Sequence, residues 1–341
     1  MAESTSPHYV DISLTPSVAE ALIRVKLPSF DTVVLVEDIN VGYNNRCFSL
    51  TTALGHAYVL RLTKDTWPAA KIIAEAASLA ALAHYKVDIP VPGLVAYNAD
   101  ANPDLHVRWM LMEKMTGTML ETVWETAPPA MRAHIAAQVE AIHTTLQSHR
   151  FNQIGGWVFD GTTPVLGKFF DGVGPYADER EWLTAAFEDA IAVAMSKPAL
   201  ESLGHLVPRA TAAMDAYLAA LSPCPIVLFH GDFAFRNMLV DEEGTITAIL
   251  DWEWCGAMPL WKEWTCVSFG DHHVYDFVPS FKYPLDPTQL ESRKHVDLMI
   301  HAFAPWQLGL ESPEKDQELA VASHATIEAS LAFLAKGNQS A

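Results

Sequence analysis

The sequence predicts an α+β protein in two lobes: a small antiparallel-sheet lobe over residues 1–115, then a larger, mainly helical lobe over residues 116–341. Three observations point there. Runs rich in β-branched and aromatic residues crowd the first third. Beyond Gly117 the pattern turns to long amphipathic helices. A chain of 341 residues, half of them hydrophobic, is long for one core and carries enough apolar material for two.

The elements follow in order. Thr15 before Pro16 opens a capped helix, "TPSVAEALIRV", because proline is favoured at the first helical position. "TVVLVEDI", "RCFSLTTAL" and "HAYVLRLT" read as three strands of an antiparallel meander, punctuated by Gly42 and Gly55. "PAAKIIAEAASLAALAHY" (Pro68 to Tyr85) is a helix: rich in alanine, opened by proline, free of internal glycine. "IPVPGLVAY" is extended because of its prolines, and "HVRWMLMEKM" is a further strand. The first lobe thus reads strand-strand-strand-helix-strand-strand. A long helix from Pro129 to His149 follows, then a glycine-bearing stretch (Gly155, Gly156, Gly172, Gly174) read as loop. Helices near 178–195, 207–221 and 288–336 complete the chain.

Charge and cysteine content exclude some functions. With 22 basic and 41 acidic residues the net charge is −19, unsuited to a general nucleic-acid-binding surface. The same charge reads as a device for solubility, and could also steer a cationic small molecule toward the protein. The four cysteines form no C-x-x-C pair, so neither a zinc site nor a disulfide framework is expected. The polar start "MAESTSPHYVD" lacks the order of a signal peptide, and no run of about 18 apolar residues would span a membrane. A reducing, cytoplasmic setting is expected.

The informative stretch is "FHGDFAFRNMLVDEEGTITAILDWEW", Phe229 to Trp254. "MLV" and "TITAIL" around "DEEG" read as a hairpin. Its open ends would bring Asn237, just before the first strand, beside Asp251, just after the second. An amide oxygen and a carboxylate are hard ligands suited to Mg²⁺. Asp232 lies five residues upstream of Asn237 and could face the same space. The spacing matches the protein-kinase signature H-R-D-x-x-x-x-N followed by D-F-G. An Asx-rich turn with surface acids would explain one of these residues, but not the spacing of all three.

With "IIAEAASLAAL", "IPVPGLVAY", "WMLMEKMTGTML" and "AIHTTL" in the same order, the sequence resembles the aminoglycoside phosphotransferase and choline kinase-like group of the protein-kinase-like fold. The resemblance implies a nucleotide-binding lobe (1–115) and a catalytic, substrate-binding lobe (116–341). It implies an enzyme moving a phosphoryl group from ATP or GTP, with Mg²⁺, to a small-molecule hydroxyl, such as that of a cationic amino alcohol or amino sugar. Asp232 becomes the catalytic base, Asn237 and Asp251 the metal ligands, and His230 a support of the loop. Arg61 takes the place of the strand cation, where many relatives carry lysine, and Glu75 that of its helix partner. Arg61 and Glu75 alone could equally be an ordinary ion pair.

Other residues follow from the resemblance. "NVGYNNR" would be the phosphate-covering loop, with Gly42 and Asn45 as donors or close-approach positions, although it also reads as a β-turn. Backbone groups of Glu113 and Met115 would meet the base. Lys64 and Lys71 compete with Arg61 for the phosphate role, and are read as solvated surface residues. Trp252, Trp254, Trp261 and Trp264, with Glu253, Glu263 and Asp271, could form an aromatic, acidic box for an amine, or could be core packing. His272 and His273 do not make a zinc site, since adjacent strand residues point apart. Gly231 replaces the arginine that, in regulated protein kinases, can receive activation-loop phosphate. This favours a small-molecule kinase over a protein kinase. The intact Asp232, Asn237 and Asp251 argue against a catalytically silent nucleotide or metabolite binder, while arginine at position 61 keeps that reading open.

Overall fold

The computed structural model describes residues 10–41, 45–265, 286–310 and 312–337. The chain opens with helix α1 (Pro16–Arg24), where the Thr15 hydroxyl accepts from the Val18 N–H as the sequence predicts. Strands β1 (Val33–Val41), β2 (Asn45–Thr52) and β3 (Ala57–Lys64), helix α2 (Ala69–His84), and strands β4 (Leu94–Asn102) and β5 (Val107–Glu113) follow. The strands form one antiparallel sheet in the order β1-β2-β3-β5-β4. The expected strand-strand-strand-helix-strand-strand order is therefore the observed one.

Alternation across this sheet decides where the polar residues go. Leu60 and Leu62 of β3 are fully buried in the cluster that includes Ile23 of α1, Phe48 and Trp109. Side chains alternate faces along a strand, so Arg61 points to the other face. Helix α2 buries Ile72, Leu79 and Leu82. Each such side chain contributes about 1.5–3 kcal/mol on leaving water.

Strand β6 (Thr118–Met119), α3 (Leu120–Trp124), α4 (Pro129–Ser148) and β7 (Arg150–Phe151) come next. The stretch read as loop holds a hairpin instead, β8 (Gly155–Asp160) and β9 (Thr163–Gly167). Its glycines serve close approach, not looseness. A Cβ on Gly155 would collide with the Gly167 carbonyl oxygen, and one on Gly156 would lie 2.8 Å from the Phe169 Cα. Composition alone reads such glycines as loop.

Helices α5 (Glu179–Ser196) and α6 (Val207–Ala220) then lead to β10 (Ile226–Phe229), β11 (Met238–Val240), β12 (Ile246–Ile249) and β13 (Gly256–Pro259). Helices α7 (Lys262–Thr265), α8 (Pro287–Phe303) and α9 (Pro313–Gly337) close the described chain. Two further sheets, of three and five strands, have the orders β12-β11-β6 and β7-β10-β13-β8-β9.

By contacts the chain separates into two compact units. The first contains residues up to 175 and 227–258, and the second 176–226, 259–265 and the last two helices. The second unit is organised on a buried ion pair. Arg293 of α8 donates from Nε to Glu179 Oε1 at 2.9 Å, and the Trp261 indole N–H donates to the same oxygen at 2.7 Å. Every residue of the candidate site belongs to the first unit.

Candidate active site

Strands β11 and β12 pair Met238 with Ile249 and Leu239 with Ala248. Their turn is closed by Asp241, whose Oδ1 accepts the N–H groups of Glu243 and Thr245 at 3.1 and 2.7 Å. At the open end the Leu250 N–H donates to the Asn237 carbonyl at 2.8 Å. The hairpin therefore brings Asn237 beside the Leu250–Asp251 step. Asp251 has φ +66, a left-handed conformation that aspartate tolerates better than most residues.

Asp232 sits in the loop entering β11 and is held from two sides. Asn237 donates its side-chain amide to Asp232 Oδ2 and to the Asp232 carbonyl, both at 2.8 Å. Arg236 donates to Oδ1. Arg236 carried no signal in the sequence beyond its place one residue before Asn237.

His230 ties this loop to the next one. It is fully buried, and its Nδ1 accepts the Asp232 N–H at 3.0 Å. Its Nε2 therefore carries the proton and donates to the Leu250 carbonyl at 3.0 Å. Burial holds its pKa below the usual histidine range, so the ring stays neutral. Trp252 packs against it, the rings tilted by 57° with centroids 4.3 Å apart. The arrangement is that of a support for the loop.

Gly231, between His230 and Asp232, has φ +90. A Cβ there would lie 2.5 Å from that of Trp254. An arginine at this position would need both a strained backbone and space that Trp254 fills.

Arg61 is 5% exposed, pairs with Glu75 of α2, and reaches Asp251 Oδ1 from Nη1 at 3.3 Å. Lys71 does not lie on the surface as its composition suggests. It is 2% exposed and paired with Glu253. Helix α2 is sunk on this side, so its first turn faces the loop after β12 and not water. Oxygens of Glu75, Asp251 and Glu253 lie within 4.8 Å of one another. Burial, and then the Asp251 charge, push the Glu253 carboxyl above the usual range, while Lys71 and Arg61 oppose the shift. Three carboxylates thus face two cations.

The remaining predicted residues are placed as follows. Gly42 lies outside the described residues. The Asn45 side-chain oxygen accepts from the Thr63 hydroxyl at 2.7 Å, two residues along β3 from Arg61. The Glu113 N–H donates to the Gly93 carbonyl at 2.9 Å, and the Gly93 N–H to the Glu113 carboxylate at 3.3 Å. Met115 is half-buried and Lys64 partly exposed. Trp252 and Trp261 are fully buried and Glu253 is engaged by Lys71, so these three are packing groups and not an amine box. Trp254 is 38% exposed and packs against Phe170, the rings tilted by 53° with centroids 4.3 Å apart. The Trp264 side chain, Asp271, His272 and His273 lie outside the described residues.

The sequence profile of the phosphotransferase enzyme family matches residues 36–276, most of the chain. The chain belongs to that family. This phosphotransferase-family chain also shares its fold with solved aminoglycoside phosphotransferases. A thermostable variant of APH(4)-Ia, in a ternary complex with AMP-PNP and hygromycin B, aligns over 92% of this chain and 98% of its own, at 16% identity and a TM-score of 0.59. An APH(2'')-IIIa complex with GDP and kanamycin aligns over 92% and 98%, at 16% identity and a TM-score of 0.57. A curated relative, altered inheritance of mitochondria protein 9, mitochondrial, from Meyerozyma guilliermondii, is 27% identical over 135 residues. That match covers 38% of this chain and 22% of the relative, so the chain spans about a fifth of that protein. Among the described residues no helix is long and apolar enough to cross a membrane.

Proposed function

We propose that this phosphotransferase-family chain is a small-molecule kinase, transferring the terminal phosphoryl group of ATP or GTP to a hydroxyl. The observation that carries the reading is the joint anchoring of Asp232 and Asp251. Asn237 holds the Asp232 carboxylate through its amide nitrogen while its backbone carbonyl holds Leu250, next to Asp251.

Asp232 is the proton acceptor. The substrate oxygen bonds to the terminal phosphorus, its proton passes to Asp232, and the broken P–O bond leaves its electron pair on the nucleoside diphosphate. Asn237 and Asp251 would hold Mg²⁺. Donation from Asn237 Nδ2 turns its Oδ1 away from Asp232, and the Asp251 side chain is 35% exposed, so both offer hard oxygen donors. The ion supplies charge neutralisation for the phosphates. Arg61, oriented by Glu75, meets the nucleotide phosphates. Gly42 and Asn45 belong to the covering loop, and the backbone at Glu113 and Met115 to the base site. Residues 1–115 thus serve the nucleotide, and 116–341 the chemistry and acceptor. The charge of −19 favours a cationic acceptor, an amino alcohol or amino sugar, by steering.

The test is a metabolite panel with ATP and GTP, read by nucleotide consumption and phosphorus NMR. A new phosphate ester on one hydroxyl compound, dependent on Mg²⁺, is expected. Phosphorylated peptides with no small-molecule product would make the chain a protein kinase. Nucleotide binding without turnover on either class would make it a silent binder.

A further inference from the structure

Lys71 stands out because a compact, strongly hydrated ammonium is rarely taken wholly out of water. It is 2% exposed and enclosed by groups from three separate segments. Glu253 pairs with it from the loop after β12. Trp67, just before α2, presents its ring 4.7 Å from the Lys71 nitrogen. Phe170, just after β9, presents its ring at 5.2 Å. Two aromatic faces and a carboxylate replace the lost water.

The cage matters for its place. Glu253 is two residues beyond Asp251, and Lys71 is one helical turn before Glu75, on the same face of α2. Helix α2 therefore grips the metal-bearing loop twice. Glu75 reaches Asp251 through Arg61, and Lys71 reaches Glu253 directly. The Asp251 bond to Arg61 is long, at 3.3 Å, so it fixes that carboxylate loosely. Its neighbours are held better. Trp252 donates its indole N–H to the Ile249 carbonyl at 2.9 Å, and Glu253 sits in the lysine cage.

We propose that Lys71 is a positioning residue for Asp251: its buried pair with Glu253, clamped between Trp67 and Phe170, sets the loop so that Asp251 presents its carboxylate to a divalent cation. The inference rests on the phosphotransferase reading above and adds to it a residue that touches neither nucleotide nor acceptor. A mere stabiliser would leave the metal dependence of nucleotide binding untouched. A phosphate ligand would act with or without metal.

The experiment is calorimetry on the full chain with AMP-PNP or GMP-PNP, in Mg²⁺ and in EDTA. Wild type, Lys71→Met, Glu253→Gln and the double variant are compared. The double variant keeps the buried charge balanced and guards against misfolding of either single one. The gain in affinity conferred by Mg²⁺ is expected to fall about ten-fold or more in each single variant, the usual scale for groups that orient a metal ligand. The double variant should lose no more than the singles, and affinity in EDTA should change less than about two-fold on that scale. Folded variants with the full Mg²⁺ gain would overturn the proposal. So would an equal loss in EDTA, which would make Lys71 a phosphate ligand. A wild type that gains nothing from Mg²⁺ would overturn both this inference and the kinase reading, whereas an unaffected variant beside a metal-dependent wild type overturns the inference alone.

Discussion

The side-chain nitrogen of Asn237 donates to both the carboxylate and the carbonyl of Asp232, each at 2.8 Å. One amide thus sets the position of a carboxylate and of the backbone that carries it. Arg236 holds the other carboxylate oxygen.

Asp232→Asn keeps the size of the side chain, removes the proton acceptor and gives up one of the two accepted hydrogen bonds, since an amide has a single acceptor oxygen. Turnover is expected to drop about a hundred- to ten-thousand-fold. Affinity for Mg-nucleotide should be nearly retained, because Asn237 and Asp251 are untouched. Steady-state rates on the acceptor found by the panel, beside nucleotide titration of the same variant, check this. Full turnover would remove the base role.

Arg61→Ala should harm folding as well as nucleotide binding. It leaves Glu75, 1% exposed, without its cation. Breaking a buried pair in this way costs about 3–5 kcal/mol. Arg61→Lys keeps the charge and should retain most of the stability. Urea denaturation separates the two effects: if the alanine variant is as stable as wild type, the Arg61–Glu75 pair is not a structural bond.

Gly231→Ala should lower the melting temperature. The added Cβ meets the Trp254 Cβ at 2.5 Å, and φ +90 is unfavourable for any side chain. Backbone strain of this kind costs about 1–3 kcal/mol. A thermal melt unchanged by the substitution would show that the loop can open without cost.

His143 of α4 makes stability depend on pH. Burial lowers its pKa to about 4, from an unfolded value near 6.5. The unfolded chain therefore binds the proton first. Stability from this group is complete above pH 6.5 and is lost as pH falls from there toward 4. A tenfold difference in proton affinity is worth about 1.36 kcal/mol, so the loss totals about 3 kcal/mol. Because the His230 pKa is lowered as well, the comparison must be with His143→Leu. Wild-type melting temperature should fall more steeply between pH 6.5 and about 4.5 than that of the variant. Parallel curves would assign the titration elsewhere.

Sequence alone determined the parts whose physics is local. A run rich in β-branched and aromatic residues specified β3, and Thr15 with Pro16 specified the start of α1. The spacing of Asp232, Asn237 and Asp251 was legible because a single hairpin, closed within about twenty residues, brings them together. Tertiary structure decided what depends on distant segments. Lys71 reads as a surface lysine until α2 is laid against Glu253, over 180 residues further on. Arg61 reaches Asp251 across 190 residues. Gly155 and Gly156 read as loop until the backbones they admit are in place, and the choice between a ligand box and core packing for Trp252 and Trp261 stays open until their burial is known. Helical and strand periodicity record which face a residue occupies. They carry no information on what that face meets, and for a charged side chain the partner alone makes burial tolerable.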